Sequence, residues 1–339
     1  MNKNTIGISC ILLLIIFSGC SRKKDKFVNR SWHAVTTEYN TLYNGGLALQ
    51  QGKEQIAQTY LDNFWQLLPV ERMQISEEIR LPGAETNEFF KVAEEKATKA
   101  IQRHSMLKEG REKNPQIDEA YLLLGKARYY DQRFIPALEA FNYILHKYPA
   151  SNTINHAQIW REKTHMRLEN DQLAIKNLKK LIKNGEMDRK DVADANAILA
   201  QAYINIGSLD SAVAPIKTAA VTTKDEDEKG RYFYIQGQLY NYLQKRDSAN
   251  MAFDKVIELN RKTPREYLIN ARLAKVRNFN FSEGDPKLLE DYLLELAEDR
   301  ENRPFLDKIY FQLAEYYSHV DSTALAIDFY NVSQNSFRR

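Results

Sequence analysis

Cysteine is nearly missing from this sequence: its 339 residues include 2, Cys10 and Cys20, both close to the start. Nothing downstream of them can build a disulfide framework or a thiolate metal site. Glycine, at 13, and proline, at 9, are also few, which argues for helices rather than many tight-turned strands. Charge of neither sign prevails, because 48 Lys and Arg stand against 45 Asp and Glu and leave a net +3. No global field therefore selects nucleic acid or an acidic substrate, and most charges read as solvated faces.

Signatures of chemistry are missing too. The six histidines, His33, His104, His146, His156, His165 and His319, show no HExxH or comparable ligand spacing. Gly45-Gly46 lacks the Lys-Ser/Thr that follows a phosphate-binding loop, so it reads as a turn. The acidic pairs Glu77-Glu78 and Glu94-Glu95 and the run Asp225-Glu226-Asp227-Glu228 have no EF-hand spacing and read as solvated loops. No metal, cofactor or enzymatic activity is expected.

What is present begins at the amino terminus. Lys3 precedes an apolar run from Ile6 to Phe17, about a dozen residues, which suits an export signal and is too short to span a bilayer. The run closes on Phe17-Ser18-Gly19-Cys20, which resembles a bacterial lipobox. The resemblance implies a signal peptide over 1–19 and covalent diacylglycerol and N-acyl lipid (palmitate) on Cys20. Residues 20–30 would then be the lipidated end and its tether, whose ten residues after Cys20 reach at most about 35 Å.

The stretch Asp118 to Ser151 sets the pattern for the rest. Its apolar residues fall at helical spacing in two blocks with a short joint. Gly125 and Ala137 are small where two helices would cross, Tyr121, Leu124 and Phe141 would fill the space beside the crossing, and Pro149 would stop the second helix. These positions resemble the tetratricopeptide repeat (TPR) signature, with Arg128 where that family has Tyr and Ile144 where it has Ala. Clear repeats are read at 118–151, 193–226, 230–263 and 307–339, and worn ones at 155–188 and 265–298. The fold class expected is all-α, a superhelical TPR-type solenoid of helical hairpins over 118–339. Pro215 is expected to kink its helix, because it has no N–H to give back to Ser211.

Residues 31–117 are read as an N-terminal helical hairpin, a connector and a helix. Trp32, Val35, Tyr39 and Leu42 form one apolar stripe, Asn44-Gly45-Gly46 a turn, and Leu47, Leu49, Ile56, Tyr60, Leu61, Phe64 and Trp65 a second stripe. Pro69 to Asn87 reads as a surface connector and Glu88 to about Met106 as a helix. Residues 95–106, Asn114 to Ile117 and the runs Trp32-His33, Tyr39-Asn40 and Tyr43 to Leu49 resemble the SprE/PorW lipoproteins of Bacteroidetes. That resemblance implies a part in type IX protein secretion and gliding motility, with ring and translocon proteins as partners. The basic run Ser21-Arg22-Lys23-Lys24, where surface-displayed lipoproteins of those bacteria carry acid, implies the periplasmic face of the outer membrane. A TPR lipoprotein of barrel assembly, resembling BamD, or of nutrient binding, resembling SusD, is the alternative.

TPR superhelices bind peptides along the inner face of each first helix. Mapped onto these registers, that face carries Lys126, Tyr129 and Tyr130, then Gln201 and Asn205, then Arg231, Tyr234, Gln238 and Tyr242, then Lys308 and Phe311. Glu119, Leu122 and Glu315 share it. The mixture suits a moderately polar protein surface and not the clamp for acidic C-terminal tails, since Leu122 and Lys126 take the first two clamp places. Lys176, Lys179, Lys180 and Lys183 form a basic ridge that reads as a solvated back face. The last helix carries Phe329, Tyr330, Val332 and Phe337 with no polar cap after it, so a chain continuing past Arg339 is expected.

Overall fold

The computed structural model describes residues 25–74 and 87–337. The lipobox, Cys20 and most of the tether lie outside the described residues. The chain divides into two compact units, one from Met1–Asp62 and Glu71–Met187, the other from Asn63–Val70 and Asp188–Arg339.

The first unit opens with α1 (Phe27–Thr36), which runs through a π-helical stretch at Thr37–Leu42 into α2 (Tyr43–Thr59). After the connector come α3 (Glu88–His104) and a two-residue hairpin, β1 (Leu107–Lys108) with β2 (Arg111–Glu112). Two helical hairpins follow: α4 (Ile117–Tyr130) with α5 (Phe134–Lys147), and α6 (Ile154–Arg167) with α7 (Asp171–Asn184).

The α4–α5 crossing is built as its composition requires. A Cβ placed on Gly125 would lie 2.4 Å from the Phe141 ring, so any side chain there would push the two helices apart. Ala137, Phe141 and Ile144 are fully buried at the same crossing. Arg128, the departure from the TPR consensus, reaches back to α3, where its Nε donates to Glu94 at 2.8 Å. Burial pushes the Glu94 carboxyl up, but hydrogen bonds from Arg133 and Arg128 outweigh it and hold the group below its ordinary value.

The N-terminal hairpin expected around Asn44-Gly45-Gly46 is not there. Gly45 lies inside α2 because its missing side chain lets Leu123 and Lys96 approach, at 2.7 and 3.1 Å from a Cβ that would stand there. Gly52 does the same for the Phe90 ring. The buried line of this long helix is Asn29, His33, Thr37, Thr41, Gly45, Ala48 and Gly52. Trp32, Val35, Tyr39 and Leu47, expected in the core, are exposed instead. The buried polar line is matched with polar partners. Asn114 Nδ2 donates to Thr37 Oγ1 at 3.1 Å and to the His104 carbonyl at 3.0 Å, and the Nδ1 atoms of His33 and His104 lie 3.1 Å apart.

The second unit contains α8 (Arg189–Asn205), α9 (Leu209–Thr222), α10 (Glu226–Tyr242), α11 (Arg246–Leu259), α12 (Arg265–Arg277), α13 (Pro286–Glu298), α14 (Leu306–His319) and α15 (Thr323–Phe337). Gly237 repeats the packing of Gly125, since a Cβ there would stand 2.4 Å from the Phe253 ring. Helix α9 continues through Pro215. The acidic run read as a solvated loop is the start of α10 instead: Glu226, Asp227 and Glu228 form its first turn, and Asp225 caps it by accepting from the N–H groups of Asp227 and Glu228; Glu94-Glu95 likewise lies inside α3.

One backbone feature recurs at the joints. Gln132, Glu169, Gly207, Gln244 and Asp321 all have positive φ, between 58° and 74°, two residues past the end of a first helix. A left-handed residue there ends the helix and turns the chain into its partner. Gly207 is the one glycine in that set.

Candidate peptide groove

The inner faces are not open as the register alone suggests. In the second unit, residues 63–70, Asn-Phe-Trp-Gln-Leu-Leu-Pro-Val, lie along the face that carries Gln201, Arg231, Tyr234, Gln238, Lys308 and Phe311.

Gln238, on α10, reads the backbone of that segment. Its Oε1 accepts from the Leu68 N–H at 3.0 Å, and its Nε2 donates to the Gln66 carbonyl at 2.7 Å. Gln201, on α8, accepts from the Val70 N–H at 2.6 Å and is itself oriented by a bond from its Nε2 to Asn205 at 2.8 Å. Arg231 Nε donates to the Pro69 carbonyl at 2.8 Å. Amide side chains that offer both a donor and an acceptor suit an extended peptide, whose N–H and C=O groups need partners once buried.

Side-chain pockets complete the site. Phe64 is buried edge-on against Tyr234 and Tyr267, with ring centroids at 5.1 and 5.5 Å, and the Lys308 ammonium lies 5.2 Å from its ring. Leu68 is 1% exposed. Trp65 lies at the rim, edge-on to Phe311 at 5.5 Å and under the Arg277 guanidinium at 4.9 Å. Tyr242 stands exposed at the end of α10.

The first unit treats residues 71–74 in a comparable way but with charge. Glu71 accepts from Lys163 Nζ at 2.5 Å, Arg167 Nη2 at 2.7 Å and the Tyr129 hydroxyl at 2.7 Å. Burial pushes its carboxyl up, yet the two cations and these hydrogen bonds hold it at about 2. Burial lowers the Arg167 guanidinium, and Tyr129 and Glu71 more than restore it, so it stays a cation. Met73 is buried in the cluster that also holds Tyr129 and Tyr130. Lys126 lies 5.2 Å over the Trp160 ring.

Of the residues read onto the inner face, Gln201, Arg231, Tyr234, Gln238, Lys308 and Phe311 meet residues 63–70, while Tyr129 and Tyr130 are buried in the cluster that holds Met73, with Tyr129 bonded to Glu71. Sequence reasoning missed Tyr267 and Arg277, which lie in the worn repeat where the register was weakest. It also missed Lys163 and Arg167, although their i,i+4 spacing on α6 was a usable signal. The expected second apolar stripe and surface connector meet a different boundary, because Leu68 is core and Pro69 and Val70 continue along the groove.

No family model matches the chain, and no characterised protein matches it in sequence. Among solved structures it is similar to the C-terminal part of a TPR repeat-containing protein from Cytophaga hutchinsonii. That pair is 19% identical, covers 71% of this chain and 87% of the other, and has a TM-score of 0.52. A tetratricopeptide repeat protein from Parabacteroides merdae is 18% identical over 62% of this chain and 77% of its own, with a TM-score of 0.45. YrrB, described as a TPR protein with an unusual peptide-binding site, is 18% identical over 55% and 84%, with a TM-score of 0.37. The fold is an all-α solenoid of TPR type.

Proposed function

We propose that this protein is a lipid-anchored TPR scaffold without catalytic activity, held at the periplasmic face of the outer membrane, where it serves type IX protein secretion and gliding motility. The observation that carries the scaffold reading is the pairing of Gln238 and Gln201 with peptide backbone between Gln66 and Val70, because a groove that reads a segment by its main chain can hold other segments. The partners are proteins, specifically components of the secretion ring and translocon, and nucleic acid has no place in the reading. The SprE/PorW-like runs between Trp32 and Ile117 and the lipobox at Cys20 support the location and the pathway. Among the described residues no group of His, Cys, Asp or Glu is placed to hold a metal ion.

Deletion of the gene in its native bacterium tests this. Loss of type IX cargo from the medium and loss of surface spreading are expected, together with co-purification of secretion-ring proteins from solubilised envelopes. Unimpaired secretion, or recovery of barrel-assembly proteins in their place, would overturn it.

A further inference from the structure

The helix formed by α1, the π stretch and α2 is amphipathic in the reverse sense. Its buried line is polar or small, from Asn29 to Gly52, while Val28, Trp32, Val35, Tyr39, Tyr43 and Leu47 face outward, each between 47% and 64% exposed. An α-helix turns about 100° per residue, so positions four apart drift by about 40° and a stripe spaced in fours would soon wind away. The wider turn at Thr37–Leu42 slows that drift. The result is an apolar, aromatic strip about 30 Å long at roughly 1.5 Å per residue.

We infer that this strip lies on a lipid surface, so that the protein docks along the membrane as well as being anchored to it. The inference rests on lipidation at Cys20 and adds a second contact. Three features favour lipid over a protein cover. From Ser31 to Gly52 the one formally charged side chain is Glu38, and Lys26 stands exposed just before the strip, as anionic headgroups favour, while Arg30 is paired with Asp25 at 3.3 Å. The outward aromatics are Trp and Tyr, whose rings combine an apolar body with a polar tip and collect at membrane interfaces. The chain length fits as well, because the eight residues from Cys20 to Val28 reach at most about 28 Å, which keeps the strip beside the bilayer that holds the acyl chains. Among the described residues no helix is long and apolar enough to cross a membrane, so the strip lies along the surface.

The test uses the acylated full-length mature protein in vesicles of phosphatidylethanolamine and phosphatidylglycerol. With the Cys20 sulfur in a thioether, Tyr39→Cys supplies a single thiol for an environment-sensitive fluorophore, and Lys147→Cys, exposed at the end of α5, supplies the control. Emission from position 39 should rise severalfold and shift to the blue in vesicles, and spin-labelled lipid should quench it, while position 147 stays as in water. Equal, water-like emission at both sites would overturn the inference. So would shielding of position 39 without vesicles, which would assign the strip to a protein partner or a second copy. Mass spectrometry of Cys20 reads the anchor separately. If the thiol is free, Cys20→Ser keeps the label single and the same comparison still decides whether the strip meets lipid.

Discussion

Gln238 holds the backbone of Leu68, a residue 170 positions earlier in the chain, at 3.0 Å. Because the same amide serves the part-buried Gln66 carbonyl, Gln238→Ala strands the buried Leu68 N–H and weakens the hold on Gln66 at once. The expected loss is about 2 kcal/mol of unfolding free energy, within the range for buried groups left unsatisfied. Tyr242→Ala, on the same helix but exposed, should stay within about 0.5 kcal/mol. Urea unfolding followed by circular dichroism compares the two, and equal effects would show that the segment is not held through Gln238.

Glycines of this fold should divide by what stands opposite them. Gly125→Ala and Gly237→Ala push a methyl into the buried rings of Phe141 and Phe253 and should cost about 1–3 kcal/mol. Gly46→Ala meets nothing within 4 Å inside α2 and should stabilise by about 0.5–1 kcal/mol. Thermal melts of the three variants check the signs, and a destabilising Gly46→Ala would support the turn that the sequence suggested.

That contrast marks what was legible in the sequence. Repeats around Gly125–Phe141 and Gly237–Phe253 could be read because small and large residues meet within one hairpin, at fixed spacing. The N-terminal helix could not, because Gly45-Gly46 carries a turn signal that only Leu123 and Lys96, far along the chain, override. Its core face was inverted for the same reason: apolar periodicity cannot anticipate that Asn114 and His104 will satisfy a buried polar line. Register alone placed Gln201, Arg231 and Gln238 on one face. Their occupant was not legible, since nothing local to Phe64 or Leu68 announces partners on helices well over a hundred residues later.

The left-handed joints offer a stabilising change. Gln132 and Gln244 hold φ of 62° and 58°, which a residue with a Cβ adopts at a cost of roughly 1 kcal/mol. Gln244→Gly and Gln132→Gly should each raise stability by about 0.5–1 kcal/mol, and Gly207→Ala should lower it by a similar amount. Chemical denaturation midpoints read all three. A loss in both glycine variants would mean that those glutamine side chains matter more than the backbone they strain.

Acid should loosen the first unit through Glu71. Its folded pKa, about 2, lies below the ordinary 4.5, so its contribution is fully present above about pH 4.5. It is lost as the pH falls toward 2, because the unfolded chain takes up the proton first. Glu71→Gln removes that dependence and leaves Lys163 and Arg167 without their carboxylate, at an expected cost of about 3 kcal/mol at neutral pH. Unfolding measured between pH 2 and 7 should show the variant's profile flatter in the acid limb. Parallel profiles would mean that Glu71 is not the group being titrated.

The occupied groove depends on residues 63–70 being held by main-chain bonds, and amide hydrogen exchange of the intact protein reads those bonds directly. The Leu68 and Val70 amides, which donate to Gln238 and Gln201 at 3.0 and 2.6 Å, should exchange at least a hundredfold more slowly than the same residues in an unstructured peptide. Gln238→Ala should erase most of the protection at Leu68. Exchange at peptide-like rates in the unaltered protein would contradict the occupied groove.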